Sequence, residues 1–427
     1  MARISASVLI ALLTLGTAAG AADEPGQHFS ISPNRLPAPH ATPAVDNTSQ
    51  KIARPAGALP KAPPGFSVSV FAAHVPGARF VAVAPDGDVF VAESDAGKVV
   101  VLRPSRDGGR AQRIATFAQG FGQPHGIAFH DGAVYIADTK SIWRLPYKNG
   151  ALVASGRRQH VADTTPDGQV GHFTRDIAFG SNGDLFLTIG SLGNVAELPR
   201  TYATVQKVGP SGALSTFAGG LRNPVGIAFY PLTDDLYVTV NERDGLGDNL
   251  PPDYFTRIRQ GDFFGWPYAY IGAHHDPDYG RKRPDLVAKT KTPDVLFQAH
   301  SAPLGFVFYE GSQFPAEYRG DAFVALHGSW NSSRPTGYKV VRIKFKNGRP
   351  QNGYENFLTG FWDGSTSPAR VWGRPVWPAV AKDGSLLVSD DAGGAIWRVA
   401  YTGNPRRADA RRAGSPICAA QSAACRG

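Results

Sequence analysis

Four short polar stretches hold residue types from which a reactive site could be assembled. They are Gln123-Pro124-His125-Gly126, Gly171-His172-Phe173-Thr174-Arg175, Arg222-Asn223-Pro224-Val225-Gly226 and Gly373-Arg374-Pro375. A neutral imidazole can take a hydroxyl proton near neutral pH. Guanidinium groups bind carboxylates bidentately or stabilise an oxyanion. Taken singly, His172 reads as a packed or capping histidine and Arg222 as half of an ion pair. Their shared placement argues otherwise, because each stretch stands just before an apolar run of similar pattern. Packing of such a run requires none of these side chains, and the four stretches differ from one another.

A fifth polar region lies in the long connection at 240–303. It contains Asn241-Glu242-Arg243-Asp244-Gly245-Leu246-Gly247-Asp248-Asn249. Hard cations such as calcium favour carboxylate and carbonyl oxygens in loops of this composition. The spacing is not that of an EF-hand, and an ordinary polar loop has the same composition. Gly265-Trp266-Pro267 with Tyr268 and Tyr270 could wall a pocket or pack a turn. His327-Gly328-Ser329-Trp330-Asn331 could add polar groups to the same opening. His274-His275-Asp276 looks like a metal pair, but adjacent side chains of an extended segment point apart, so it reads as loop.

The elements that must position these residues recur six times. An apolar strand of the G-x-A-F kind runs into a Gly/Asp turn and a second apolar strand, at 80–93, 125–138, 175–190, 225–240, 304–328 and 376–390. A third strand is legible at 97–104, 141–147, 337–345 and 395–401. A repeat of roughly 45–60 residues, with one wider gap, is the period of a propeller blade. The predicted fold is therefore all-β, a six-bladed β-propeller. Each blade leaves an apolar face that only its neighbours can cover, so the ring must close. Loops at equivalent places in successive blades then converge on one rim of the axial opening.

Composition and chain ends set the frame. The 427 residues include 49 Gly and 34 Pro, which suits a turn-rich all-β chain. Residues 1–21 read as a secretory signal, with Arg3, the apolar stretch Val8 to Leu15, and Ala19-Gly20-Ala21. Residues 22–60 read as a Pro-rich arm or linker, 61–403 as the catalytic propeller, and 404–427 as a polar tail. Cys418 and Cys425 in that tail are expected to pair in an oxidising compartment. No later segment reaches the ~20 apolar residues of a membrane span. The expected location is periplasmic or secreted. The chain has no C-x-x-C-H for covalent haem and no zinc-like spacing. The formal charge of +9 reads as solvated surface or a docking patch for an acidic electron acceptor, and not as a nucleic-acid face.

Taken together, these motifs resemble the soluble pyrroloquinoline quinone-dependent sugar dehydrogenases, most closely the sorbosone dehydrogenase branch. The resemblance runs from about 60 to 400. It rests on GHFTRDIAF with LFLTIGSLGNV, GLRNPVGIAF, NERDGLGDNLPPD running on to GDFFGWP, then HGSWN and GRPV, in that order. It implies a quinone cofactor (PQQ) over the channel mouth and a calcium ion (Ca2+) on the quinone's edge. By resemblance His172 is the general base, and Arg222 and Asn223 contact and polarise the quinone. Gln123 lies near substrate and cofactor, and Arg374 holds cofactor carboxylates. His327 falls where a cofactor-contacting lysine stands in the family, and the carbonyls of Asp244 and Gly245 are the calcium ligands.

Four positions depart from the glucose-oxidising members. Gly171 replaces an aspartate before the base, so the imidazole must be oriented from elsewhere. Val376 replaces a second clamp arginine, the lysine near His327 and Gly328 is missing, and Asp244 replaces a glycine. The implied activity is oxidation of an aldose or sugar aldehyde by hydride transfer to the quinone. Electrons would pass to an external acceptor such as a cytochrome c or a quinone. Two alternatives remain open at this stage: a metal-dependent hydrolase or lactonase on a similar scaffold, and a non-catalytic propeller that binds glycan or protein.

Overall fold

Apolar second strands dominate the core. Val89–Glu93, Leu185–Ile189, Ala322–Leu326 and Leu386–Asp390 are buried at every residue. Both faces of such a strand are covered by neighbouring sheets, so its sequence is almost continuously apolar instead of alternating. The computed structural model describes residues 23–165 and 167–403. In it the chain forms six antiparallel sheets of four principal strands, arranged as propeller blades.

Blade 1 comprises Ala78–Val83, Val89–Glu93, Lys98–Pro104 and Ala111–Gln119. Blade 2 comprises Ile127–His130, Ala133–Ala137, Ser141–Pro146 and Gln159–Asp163. Blade 3 comprises Ile177–Phe179, Leu185–Ile189, Thr204–Val208 and Leu214–Gly219. In blade 4, Asn223–Phe229, Leu236–Asn241 and Tyr254–Ile258 are joined by the distant pair Val295–Leu296. Blade 5 holds Pro303–Phe308, Ala322–Leu326, Lys339–Ile343 and Tyr354–Leu358. Blade 6 holds Pro375–Val380, Leu386–Asp390 and Ala395–Tyr401, with Phe66–Ala73 as its outermost strand.

That last pairing closes the ring. Phe66–Ala73 comes from the N-terminal side yet pairs antiparallel with Ala395–Tyr401, so the first and last blades are tied by one sheet. The first strand of each blade lines the axis and neighbours the first strands of adjoining blades.

Hydroxyl groups near the end of second strands fix each blade's loop against the next. Ser94 Oγ donates to the Pro124 carbonyl at 2.6 Å, Thr239 Oγ1 to Leu304 at 2.5 Å and Ser389 Oγ to Arg79 at 2.6 Å. Thr188 Oγ1 makes the same step to Val225 at 3.3 Å. The buried Asp176 carboxylate accepts from the Ile177 and Ile227 amides at 2.7 and 2.8 Å, joining blades 3 and 4. These bonds hold the rim residues in register, which is how the scaffold reaches the site.

The leader at 1–21 and the tail with Cys418 and Cys425 lie outside the described residues. Among the described residues, no helix is long and apolar enough to cross a membrane.

Candidate active site

His172 sits where blade 3 begins, and its ring is held from one side. Its Nδ1 lies 2.7 Å from the Ser191 carbonyl oxygen and 3.2 Å from Ser191 Oγ. A carbonyl only accepts, so Nδ1 carries the proton and Nε2 keeps the lone pair. Ser191 Oγ donates to Gly193 at 2.6 Å, which leaves it an acceptor towards the imidazole. The His172 amide also donates to the Ser191 carbonyl at 3.0 Å. Burial, with the Arg222 guanidinium nearby, lowers the His172 pKa to about 4 against the pull of Ser191 and Asp244. The ring is thus neutral at pH 7, the state a general base requires.

Gly171 explains how this is possible without an aspartate before the base. A Cβ there would overlap Leu192 Cα and crowd the Ser191 carbonyl. The glycine lets the 191–192 backbone approach closely, and that backbone orients the imidazole. Gly190 does the same on the other side. A Cβ at Gly190 would fall 2.5 Å from Asn223 Oδ1 and 2.7 Å from His172 Cβ, so His172 and Asn223 flank the same point.

Arg222 and Asn223 open blade 4 and are both buried. The Ser191 amide donates to the Arg222 carbonyl at 2.8 Å, so base and arginine share one backbone link. The Arg222 guanidinium donates to the Asn194 carbonyl at 3.0 Å, the Glu242 carbonyl at 2.7 Å and Asp244 Oδ2 at 3.0 Å. Of five N–H groups, one on each terminal nitrogen remains. Asp244 is anchored in turn by Asn331 Nδ2 at 2.6 Å. Among the described residues Asn223 Oδ1 is buried with no hydrogen-bond partner, a polar atom open to a ligand.

Arg374 opens blade 6. Its Nε and Nη2 donate to the His327 and Gly328 carbonyls at 3.0 Å each, and among the described residues it forms no ion pair. His327 does not offer its ring to the opening. Its Nε2 donates to Asp391 at 3.0 Å, and Asp391 also pairs with Arg79 at 2.6 Å. Burial pushes the Asp391 carboxyl up, but His327 and Arg79 outweigh that and hold it well below the usual carboxylate range. Phe173, next to His172, lies under the Arg79 guanidinium at 5.4 Å and links the two networks. Lys51, Arg79, Phe173, Arg374 and Asp391 line one cavity of about 390 Å³, within the range of small-ligand pockets.

The remaining sequence candidates fall out as follows. Gln123 stands exposed on the blade 2 loop with φ 56°. His125 is fully buried against Phe80, Trp377 and Phe173. Val376 is core. His274 and His275 form a two-residue strand, and Asp276 pairs with Arg243 at 2.6 Å. Trp266 Nε1 donates to the Asn194 carbonyl at 3.0 Å, bracing the loop beside Arg222. Sequence reading missed Ser191, Arg79, Asp391 and Lys51. Arg79 lies inside the first strand of blade 1, Ala78–Val83, and not just before it as Arg222 and Arg374 do, so the motif that marked those two does not mark Arg79.

An anionic planar quinone suits these residues, since the cavity presents Arg374 without a carboxylate partner and Arg79 with a buried unpartnered Nε, and its lining residue Phe173 adjoins His172, which flanks Gly190 together with Asn223. Calcium at Asp244 and Gly245 does not suit them equally. The Asp244 carbonyl accepts from Asn194 Nδ2 at 3.0 Å and Arg243 Nε at 3.3 Å. Among the described residues only the Gly245 carbonyl of the two is open, so the pair does not form a cation cradle here.

The sequence profile of the glucose/sorbosone dehydrogenase family matches residues 76–329, and the chain belongs to that family, the pyrroloquinoline quinone-dependent sugar dehydrogenases. It is a sugar dehydrogenase-like oxidoreductase. A TrAA12-like profile matches residues 278–402. An uncharacterized protein of Borreliella burgdorferi is 32% identical over 356 residues, 80% of this chain and 90% of that one. A pyrroloquinoline quinone-dependent pyranose dehydrogenase of Coprinopsis cinerea is 28% identical over 274 residues, 51% of this chain but only 36% of its own length. Among solved structures, the holo form of the pyranose dehydrogenase PQQ domain from Coprinopsis cinerea superposes with TM-score 0.68 at 20% identity, covering 83% of this chain and 99% of that one. The PQQ-bound aldose sugar dehydrogenase of Streptomyces coelicolor superposes with TM-score 0.57 at 19% identity, covering 80% and 99%. These two share the fold.

Proposed function

We propose that the protein oxidises an aldose or sugar aldehyde, of the sorbosone type, in a pyrroloquinoline quinone-dependent reaction. The carrying observation is His172, a neutral imidazole with its Nε2 lone pair free, placed beside Arg222 and Asn223 at one point of the rim. The quinone, held by these residues, would supply the two-electron acceptor for oxidation of the hydroxyl-bearing carbon.

The chain's own residues do the rest. His172 Nε2 takes the hydroxyl proton, and the Nδ1–H held by Ser191 steadies the ring as it becomes cationic. The free N–H groups of Arg222 face developing negative charge, and its three bonds to Asn194, Glu242 and Asp244 fix the plane in advance. Asn223 orients a donor with its unpartnered Oδ1. Arg374 binds a carboxylate, and Gln123 borders the mouth where substrate enters. His327 contributes through Asp391, which it holds in place. No step is assigned to calcium.

Electrons would leave to an external acceptor such as a cytochrome c or a quinone, and the leader-like 1–21 supports a periplasmic or secreted setting. The hydrolase alternative needs metal-ligating side chains gathered at the axis. Among the described residues no three His, Cys, Asp or Glu are grouped in that way. Dye reduction by quinone-loaded protein across a panel of aldoses and sugar aldehydes tests the proposal. Sugar-dependent reduction is expected; none with any sugar would overturn it.

A further inference from the structure

The N-terminal arm is built into the face that carries the site. His28–Phe29 adds a strand to blade 5 by pairing with Tyr354 and Glu355. The His40 amide then donates to Leu246 at 2.8 Å, and Thr42 Oγ1 accepts from the Asp248 amide at 2.7 Å. Both contacts fall on the loop that contains Asp244. Asn47 Nδ2 donates to the Ser332 and Thr366 carbonyls at 2.8 Å each. Next, Gln50 and Lys51 run parallel to Arg370 and Val371, with the Gln50 amide on Ala369 at 2.7 Å and the Ile52 amide on Val371 at 2.8 Å. A backbone held this closely fixes where its side chains begin.

What it brings to the cavity is a charge. Ser49 and Lys51 line the same cavity as Arg79, Arg374, Asp95 and Asp391. Asp391 is already paired with Arg79 and bonded to His327, and Asp95 is exposed. Among the described residues the Lys51 ammonium has no partner. Three cations thus line the cavity with two carboxylates, and of the cations only Arg79 is ion-paired, which leaves Lys51 and Arg374 available to an anion. Free N–H donors on Arg374 and the unpartnered Nε of Arg79 supply directional bonds to go with their charge.

We infer that Lys51 of the arm, with Arg79 and Arg374, forms a carboxylate-binding subsite in this cavity. Two sources fit that chemistry. One is a carboxylate of the bound quinone, a version that rests on the function proposed above. The other is the carboxylate of an acidic sugar such as a uronic acid. Lys51 is exposed and its side chain supports no other group, so its replacement leaves the fold intact.

The test compares full-length wild-type protein with Lys51→Glu, Lys51→Gln and Lys51→Arg at low ionic strength, where the charge is least screened. Apo-protein is titrated with pyrroloquinoline quinone by fluorescence quenching, and with D-glucuronate and D-glucose by calorimetry. Weakening of quinone binding by about tenfold or more in Lys51→Glu, with Lys51→Arg near wild type, assigns the subsite to the cofactor. The same loss for glucuronate but not glucose assigns it to an acidic substrate. Wild-type binding of glucuronate without any binding of quinone would sink the quinone reading while leaving the subsite standing. Equal affinities in wild type and Lys51→Glu for both carboxylate ligands would overturn the subsite, as would failure of the wild type to bind either.

Discussion

Ser191 holds His172 mainly through a main-chain atom: the imidazole Nδ1 is 2.7 Å from the Ser191 carbonyl oxygen and 3.2 Å from its hydroxyl. The stronger contact survives any side-chain replacement. Ser191→Ala should therefore lower kcat by no more than about threefold, because the carbonyl still selects the tautomer and fixes the ring. Steady-state kinetics check this. A loss of about a hundredfold would mean that the hydroxyl, not the backbone, orients the base.

Gly171 is the position where that arrangement should be most fragile. A methyl group there would meet Leu192 Cα and the Ser191 carbonyl. Relief requires moving the backbone that carries the acceptor. Gly171→Ala is expected to cost about 1–3 kcal/mol of stability, as overpacking does, and to cut turnover more than Ser191→Ala. Chemical denaturation and kcat measured on the same preparation test both parts. A Gly171→Ala protein with wild-type kcat would contradict the close approach.

The pH profile follows from the His172 environment. Burial and Arg222 lower its pKa to about 4, and the base works only unprotonated. As pH falls, activity should hold through the region near 6.5, where an ordinary histidine titrates, and decline only as pH nears 4. The measurement is kcat/KM against pH, with circular dichroism at each point to confirm folding. An acid limb centred near 6.5 would place the base outside this buried setting.

Metal binding offers a further check on the rim loop. The Asp244 carbonyl is taken by Asn194 and Arg243, so calcium alone has one free ligand carbonyl among the two expected. Chelator-treated apo-protein should show little change in Tm when millimolar calcium is added. A rise of several degrees would show that Asn194 yields its acceptor to the ion. In Asn194→Ala, where one competing donor is gone, the calcium-induced rise should exceed that of wild type.

The propeller was legible because blades cover one another. A strand such as Val89–Glu93, buried throughout, must be apolar along its length, and six such runs after G-x-A-F patterns leave few other folds. Outer strands were harder to read. Thr204–Val208 and Ala111–Gln119 alternate weakly, and Val295–Leu296 returns to blade 4 across a long excursion. His172, Arg222, Asn223 and Arg374 were visible as polar residues at repeated positions. Arg79 stands within its strand, at a register where blades 4 and 6 carry Val225 and Val376, so the repeat marks it as core and not as site. The role of Ser191 depends on a carbonyl, which every residue has, so no side-chain pattern could mark it. Lys51 lies in a Pro-rich arm without periodicity, and only the fold brings it to the cavity.

The most direct test of the account is the reduction of bound quinone in a single turnover. Wild-type and His172→Gln proteins would be loaded with pyrroloquinoline quinone in calcium-containing buffer, their affinities compared, and each mixed rapidly with an aldose while quinone absorbance is followed. The account predicts similar quinone affinities and a reduction step slower by about a hundredfold or more in His172→Gln. Equal reduction rates in the two proteins would contradict the assignment of His172 as the base.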